Sequence, residues 1–177
     1  PCWGQTMLCL ETICVLAPDM SEVPDGVKMP ETQRKPPRPS ATLMITRNGD
    51  EGVEVLLGNR SESMPSFPGY WAFPGGGVSR VDSPASESLG ISVQHCAILR
   101  EVVEELGLAP KAGRLTTVDD NFRMMVVEDK TNWFPLALDG DISCDTTGIR
   151  IISMRTTPPF SPMRFEHTFL HIHSDDH

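Results

Sequence analysis

The sequence predicts an α/β domain, on three observations. Two short runs rich in β-forming residues, 41–46 and 53–57, flank the turn-forming Asn48-Gly49-Asp50-Glu51-Gly52. Residues 91–106 carry apolar side chains at helical spacing, and 149–155 and 167–173 again look like strands. The length of 177 residues fits one domain with decoration, and 39% hydrophobic with 22% charged residues supports a sizeable core.

Taken in order, the elements start with an arm. Pro18, Pro24, Pro30, Pro36, Pro37 and Pro39 fall within residues 18–39, so residues 1–39 read as a proline-rich N-terminal arm or linker and 40–177 as the domain. The runs 41–46 and 53–57 form a hairpin. A short extended piece, 70–73, ends at Pro74-Gly75-Gly76-Gly77, where glycines permit close approach of a ligand. The helix predicted over 91–106 presents Ile91, Ala97, Ile98, Val102 and Leu106 as an apolar stripe and stops at Gly107. Asp119 or Asp120 caps a second helix with Phe122, Met125 and Val126 on one side. The last two strands are joined by the proline-rich residues 156–162.

Charge narrows the partners. Lysine and arginine total 15 against 24 aspartates and glutamates, a net charge of -9. That balance repels long nucleic acids and anionic membranes, which attract basic surfaces. A small phosphorylated ligand survives, because bound cations can bridge its phosphates to carboxylates. The five cysteines are odd in number and form no C-x-x-C pair, which points to a reducing, cytoplasmic setting. The apolar residues 7–17 are too short to span a bilayer and contain Glu11.

Glu101, Glu104 and Glu105 stand at i, i+3 and i+4, on one face of the predicted helix. Hard divalent cations take oxygen ligands, so three stacked carboxylates suit Mg²⁺ or Mn²⁺; a solvated acidic face is the alternative. His167, His171 and His173 share one face of the last strand, where exposed histidines are a better reading than an incidental metal site. Trp71 and Trp133 can stack on a base, although core or cap positions suit them better.

The segment Arg100-Glu101-Val102-Val103-Glu104-Glu105-Leu106-Gly107-Leu108 matches all seven specified positions in the second half of the Nudix box, G-x5-E-x7-R-E-U-x-E-E-x-G-U, with U a bulky aliphatic. Phe73-Pro74-Gly75-Gly76 resembles the approach to the same motif, so the chain resembles a Nudix hydrolase over roughly residues 40–173. It departs from the box in one respect. Between Gly76 and Arg100 lie 23 residues where the box has 13, so about ten are expected to be inserted within 78–90. Counted back from Arg100, the first box glutamate falls on Ser92, so its role is expected to be lost or moved, with Glu87 the candidate to take it.

The resemblance implies a three-layer α/β/α sandwich with a mixed central sheet, and hydrolysis of a diphosphate linkage in a small nucleotide-derived substrate. It implies that Glu101, Glu104 and Glu105, with the Gly75 carbonyl, are metal ligands for Mg²⁺ or Mn²⁺. Glu101 doubles as a candidate base, and Arg100 orients the glutamates. A later carboxylate supplies the base in many relatives, and Asp119, Asp120, Asp145 and Glu166 are the candidates here.

For substrate, Leu56-Leu57-Gly58-Asn59-Arg60-Ser61, then Gly69 and Phe73-Pro74-Gly75-Gly76, is similar to the coenzyme A signature L-L-T-x-R-S-x3-R/K-x3-G-x3-F-P-G-G. Gly58 replaces the threonine and Pro65 the basic residue. Residues 156–166 resemble the T-P-x-x-x-P-x-R-F-D region of the branch that includes acyl-coenzyme A diphosphatases, with Arg164 in its arginine position and Glu166 in place of the aspartate. The resemblance therefore implies coenzyme A or an acyl-coenzyme A as substrate and Arg60, Ser61, Gly69, Gly76 and Arg164 as substrate-binding residues. ADP-ribose, NADH or a nucleoside triphosphate is the second expectation, and a non-catalytic nucleotide-binding regulator the third. Many Nudix proteins dimerise, so a homodimer is compatible. The branch usually continues with helical sequence past the last strand, whereas this sequence stops at Ser174-Asp175-Asp176-His177, as a truncated chain or a shortened homologue would.

Overall fold

A computed structural model of the protein describes residues 5–9 by their backbone, and 36–64, 67–159, 161 and 163–174 in full. Its strands are β1 (Gln5–Cys9), β2 (Arg38–Gly49), β3 (Gly52–Asn59), β4 (Trp71–Ala72), β5 (Gly75–Gly77), β6 (Leu108–Lys111), β7 (Arg114–Thr117), β8 (Arg150–Thr156) and β9 (Phe165–His173). Its helices are α1 (Asp82–Leu89), α2 (Val93–Leu106), α3 (Asp120–Glu128) and α4 (Trp133–Asp139). The main sheet runs β1-β3-β2-β9-β8, with β4 added on β3 and β5 on β2, while β6 and β7 make a separate hairpin. The predicted α/β class with a mixed sheet holds, because β2 and β9 pair in parallel and the other pairs are antiparallel.

Alternation in β2 and β9 decides which face is buried. Ala41, Leu43 and Ile45 stand opposite Thr168, Leu170 and Ile172, and all six are buried. Onto this face packs α2, which contacts β2 and β5 and buries Ala97, Ile98, Leu99, Val102 and Val103. Each fully buried side chain of the size of Ile98 or Leu99 stabilises the fold by about 1.5–3 kcal/mol relative to exposure. Trp133 closes the core from α4 and donates from Nε1 to Cys96 Sγ at 3.4 Å, which confirms its core reading.

The predicted helix is present as α2, two residues shorter at its start because Ser92 caps it, accepting from the His95 N–H at 3.2 Å. Asp119 caps α3, as expected, through the Asn121 N–H. Val126 of α3 is buried and Phe122 packs on the core, but Met125 is 42% exposed: nine residues give too narrow a contact to bury all three. The 70–73 strand shrinks to Trp71–Ala72, and Trp71 is exposed. β2 begins at Arg38. Gln5–Cys9, inside the expected arm, pairs with β3, while Pro18, Pro24 and Pro30 lie outside the described residues.

Elements not expected from the sequence, besides β1, are α1, the three-glycine β5, the two strands of the β6–β7 hairpin and α4. Glycine has little preference for strands, so β5 exists through its pairing with Ser40, Ala41 and Thr42 of β2. Helix α1 has a weak apolar stripe and Pro84 in its first turn, and it is fixed by burial of Asp82 and Ala85. Among the described residues, Cys96 and Cys144 are free thiols, and no helix is long and apolar enough to cross a membrane.

Candidate active site

The carboxylate face of α2 meets the edge of β5. There the Gly75 N–H donates to Glu105 Oε2 at 3.0 Å, and a Cβ on Gly76 would stand 2.5 Å from Glu101 Oε1. Only a residue without a side chain lets that carboxylate lie against the strand. Gly75 is constrained differently: its φ is +147° and a Cβ would lie 2.3 Å from the Ala41 carbonyl oxygen. Gly75→Ala is therefore expected to destabilise the protein by about 1–3 kcal/mol from backbone strain alone and to pull β5 off β2. Gly76→Ala, which meets the flexible end of a glutamate, should leave stability nearly unchanged while displacing Glu101. Urea midpoints of the two variants, compared with turnover, separate these outcomes.

Arg100 is the hub behind the carboxylates. Its Nε donates to Asp82 Oδ1 at 2.8 Å and its Nη2 to Oδ2 at 3.1 Å. Nη1 is shared between Glu101 Oε1 at 3.0 Å and Glu104 Oε1 at 2.9 Å, and Nη2 also reaches the Gly77 carbonyl at 3.3 Å. Arg100 is 2% exposed and Asp82 fully buried. Burial alone would lower the arginine's pKa, but the hydrogen bond to Asp82 and the charges of Glu101 and Asp82 carry it upward, so it stays protonated.

Glu101 is raised above the usual carboxylate range by burial, against the pull of Arg100. Glu105 is pushed up to about 7, first by burial, with the Gly75 N–H opposing and Glu101 and Glu104 repelling. Among the described residues no three histidine, cysteine or acidic side chains already stand in a ligating arrangement, since Glu101 and Glu104 are turned to Arg100 and Glu105 to Gly75. The donor set nevertheless fits a hard divalent cation: three oxygen-bearing, half-buried, mutually repelling groups gain from positive charge.

Across the glycine strand opens a cavity of about 520 Å³, lined among others by Arg60, Phe73, Met163, Phe165, His167 and Phe169. Gly75, Gly76 and Gly77 line it too, so β5 is the ridge between cavity and carboxylates. The NUDIX domain profile matches residues 36–149. The chain belongs to the Nudix family.

A crystal structure of a NUDIX hydrolase from Alicyclobacillus acidocaldarius aligns at a TM-score of 0.67 and 23% identity, covering 81% of this chain and 72% of that one. A crystal structure of a MutT/nudix family protein from Enterococcus faecalis aligns at a TM-score of 0.43 and 19% identity, covering 84% of this chain and 39% of that one. No curated protein matches the sequence. As a Nudix pyrophosphohydrolase, the protein belongs with enzymes that act on small nucleotide-derived substrates and generally use divalent metals.

Within this Nudix domain the first box acid is neither lost nor moved to Glu87. Glu87 is exposed on α1, and Ser92 serves as the α2 cap. Asp82 is the sixth residue after Gly76, where G-x5-E places its acid, and it holds Arg100. The extra residues therefore follow the acid and build most of α1 and its connection to α2. Counting forward from Gly76 finds Asp82; counting back from Arg100 crosses the insertion and misses it.

The other expected residues fall in several places. Arg60 and Gly76 line the cavity, and the Arg60 charge acts on Glu105. Ser61 is exposed and bonds to Ser63; Gly69, at φ +71°, donates its N–H to the Arg60 carbonyl. Arg164 immediately precedes β9, with its Nε buried and unpartnered among the described residues. Pro65 lies outside the described residues. Of the four candidate bases, Asp119 caps α3, Asp120 sits in its first turn, and Glu166 is exposed on β9, two strands from β5. Asp145 accepts from Ala112 and Thr147 N–H groups and is held low, chiefly by Thr147. His171 and His173 both hydrogen-bond with Thr46, whereas His167 is engaged by Ser40 and Thr42, so hydroxyls occupy the histidine row.

Proposed function

We propose that the protein hydrolyses the diphosphate linkage of coenzyme A or an acyl-coenzyme A. The observation that supports it most is the position of Arg60. This arginine of the coenzyme A-like segment lines the cavity beside Gly75–Gly77, with its charge acting on Glu105 across the ridge.

In this reading Glu101, Glu104, Glu105 and the Gly75 carbonyl hold Mg²⁺ or Mn²⁺. When bound, the cation supplies polarisation of the phosphoryl oxygens and a lowered pKa for a ligated water. The chain's own residues do the rest. Arg60 binds the diphosphate, with Ser61, Gly69, Gly76 and Arg164 shaping the remainder of the substrate site. Attack of water on one phosphorus breaks the anhydride and releases a proton, for which Glu101 is the acceptor, with Glu166 or another later carboxylate as an additional candidate. Arg100, anchored on Asp82, keeps Glu101 and Glu104 in place. The free thiols of Cys96 and Cys144 support a cytoplasmic setting.

The test is product formation from coenzyme A, an acyl-coenzyme A, ADP-ribose, NADH and nucleoside triphosphates with Mg²⁺ or Mn²⁺. Coenzyme A turnover should release 3′,5′-ADP and a phosphopantetheine, stop on chelation with EDTA and fall in Glu104→Gln. Preference for ADP-ribose or NADH would replace the substrate, and nucleotide binding without turnover would point to a regulator.

A further inference from the structure

One row of residues crosses the cavity face of the sheet. Gly77 of β5 pairs with Ser40 of β2, Ser40 with His167 of β9, and His167 with Arg155 of β8. Residues paired directly across strands project to the same face, and four strands at the usual spacing span roughly 14 Å. The row thus starts at the glycine ridge beside the carboxylates and ends at a guanidinium.

Its middle is aromatic. Phe165, His167 and Phe169 alternate along β9 and line both the 520 Å³ cavity and a second one of about 360 Å³ beside it, which Arg155, Thr156 and Thr157 share. Ser40 Oγ lies 2.6 Å from His167 Nδ1, and Thr42 Oγ1 lies 2.6 Å from Nε2. Both ring edges are therefore used, and the imidazole can offer a ligand only its face. It contacts Phe169 with ring centroids 4.6 Å apart. A planar heterocycle is what such a floor accepts, held by stacking and not by base-edge hydrogen bonds. Arg155 is exposed, forms no ion pair among the described residues, and bonds through Nη1 to the carbonyl of Met154. Its remaining donors are free to take a phosphomonoester.

We propose that this row is the subsite for a 3′-phosphorylated nucleoside: the base stacks on His167 between Phe165 and Phe169, and the 3′-phosphate pairs with Arg155. The proposal rests on the coenzyme A reading and extends it. It supplies from β8 the cation that the sequence lacks at Pro65, and names the group that distinguishes coenzyme A from ADP-ribose.

The test is calorimetric binding of 3′,5′-ADP and 5′-AMP to the full chain without metal, alongside kcat/KM on coenzyme A and 3′-dephospho-coenzyme A. One charge-assisted hydrogen bond predicts that 3′,5′-ADP binds at least about tenfold more tightly than 5′-AMP. Arg155→Gln should collapse that ratio toward one. His167→Leu should weaken both ligands by about tenfold, the scale of one stacked base, and leave their ratio intact. Equal binding of the two nucleotides by the unaltered protein, or an unchanged ratio in Arg155→Gln, overturns the subsite even if coenzyme A is hydrolysed. Turnover of ADP-ribose without coenzyme A overturns the substrate reading instead, while the binding ratio still decides the subsite.

Discussion

Asp82→Ala is expected to lower the unfolding free energy by roughly 3–5 kcal/mol, the cost of leaving a buried charge without its partner. Asp82 is fully buried, and it takes two of the donors of an arginine that is itself 2% exposed. For a domain of this size, a loss of that scale lowers the melting temperature by roughly 6–20 °C. Function should suffer beyond stability. Without Asp82 the whole guanidinium charge falls on Glu101 and Glu104, which then compete poorly for a cation. Thermal unfolding with a Mn²⁺ titration of the folded variant measures both effects. A melting temperature within 2 °C of the unaltered protein would show that Arg100 finds another partner.

Glu101→Gln is expected to act in the opposite way, sparing the fold and removing turnover. The amide keeps an oxygen for Arg100 Nη1, and Arg100 keeps its bonds to Asp82, so the melting temperature should hardly change. With Glu101 in its proposed roles of proton acceptor and cation ligand, the loss is on the order of 10²- to 10⁴-fold in kcat from the acceptor, with the loss of the ligand added to it. Steady-state kinetics over a Mg²⁺ series, with circular dichroism as the folding control, reads this directly. Retention of kcat within threefold would move the base to another carboxylate.

The helix that carries Glu101, Glu104 and Glu105 was legible because both of its signals are local: apolar positions at helical spacing and glycine just past its end. The β2–β3 hairpin was legible for the same reason. Asp82 was legible only by counting forward from Gly76, since its importance depends on meeting Arg100 18 positions later, across an insertion that breaks the count backward. Local sequence also hid the fate of the histidines. A strand pattern puts His167, His171 and His173 on one face, but only the register against β2 reveals Ser40, Thr42 and Thr46 waiting for them. Strand β5 escaped notice because its conformation comes from its neighbour and not from its three glycines.

The parallel pairing of β2 with β9 also governs how the chain can fold. Nine residue pairs from Arg38↔Phe165 to Thr46↔His173 join segments well over a hundred positions apart, and β2 is the strand on which β3, β5 and β9 all assemble. Closing so long a loop comes before any reward from the contacts, which slows folding. During synthesis, therefore, β2 must wait with one edge still open until β9 has left the ribosome. In that interval the nascent chain is exposed to mispairing, and a holding chaperone would have most to protect.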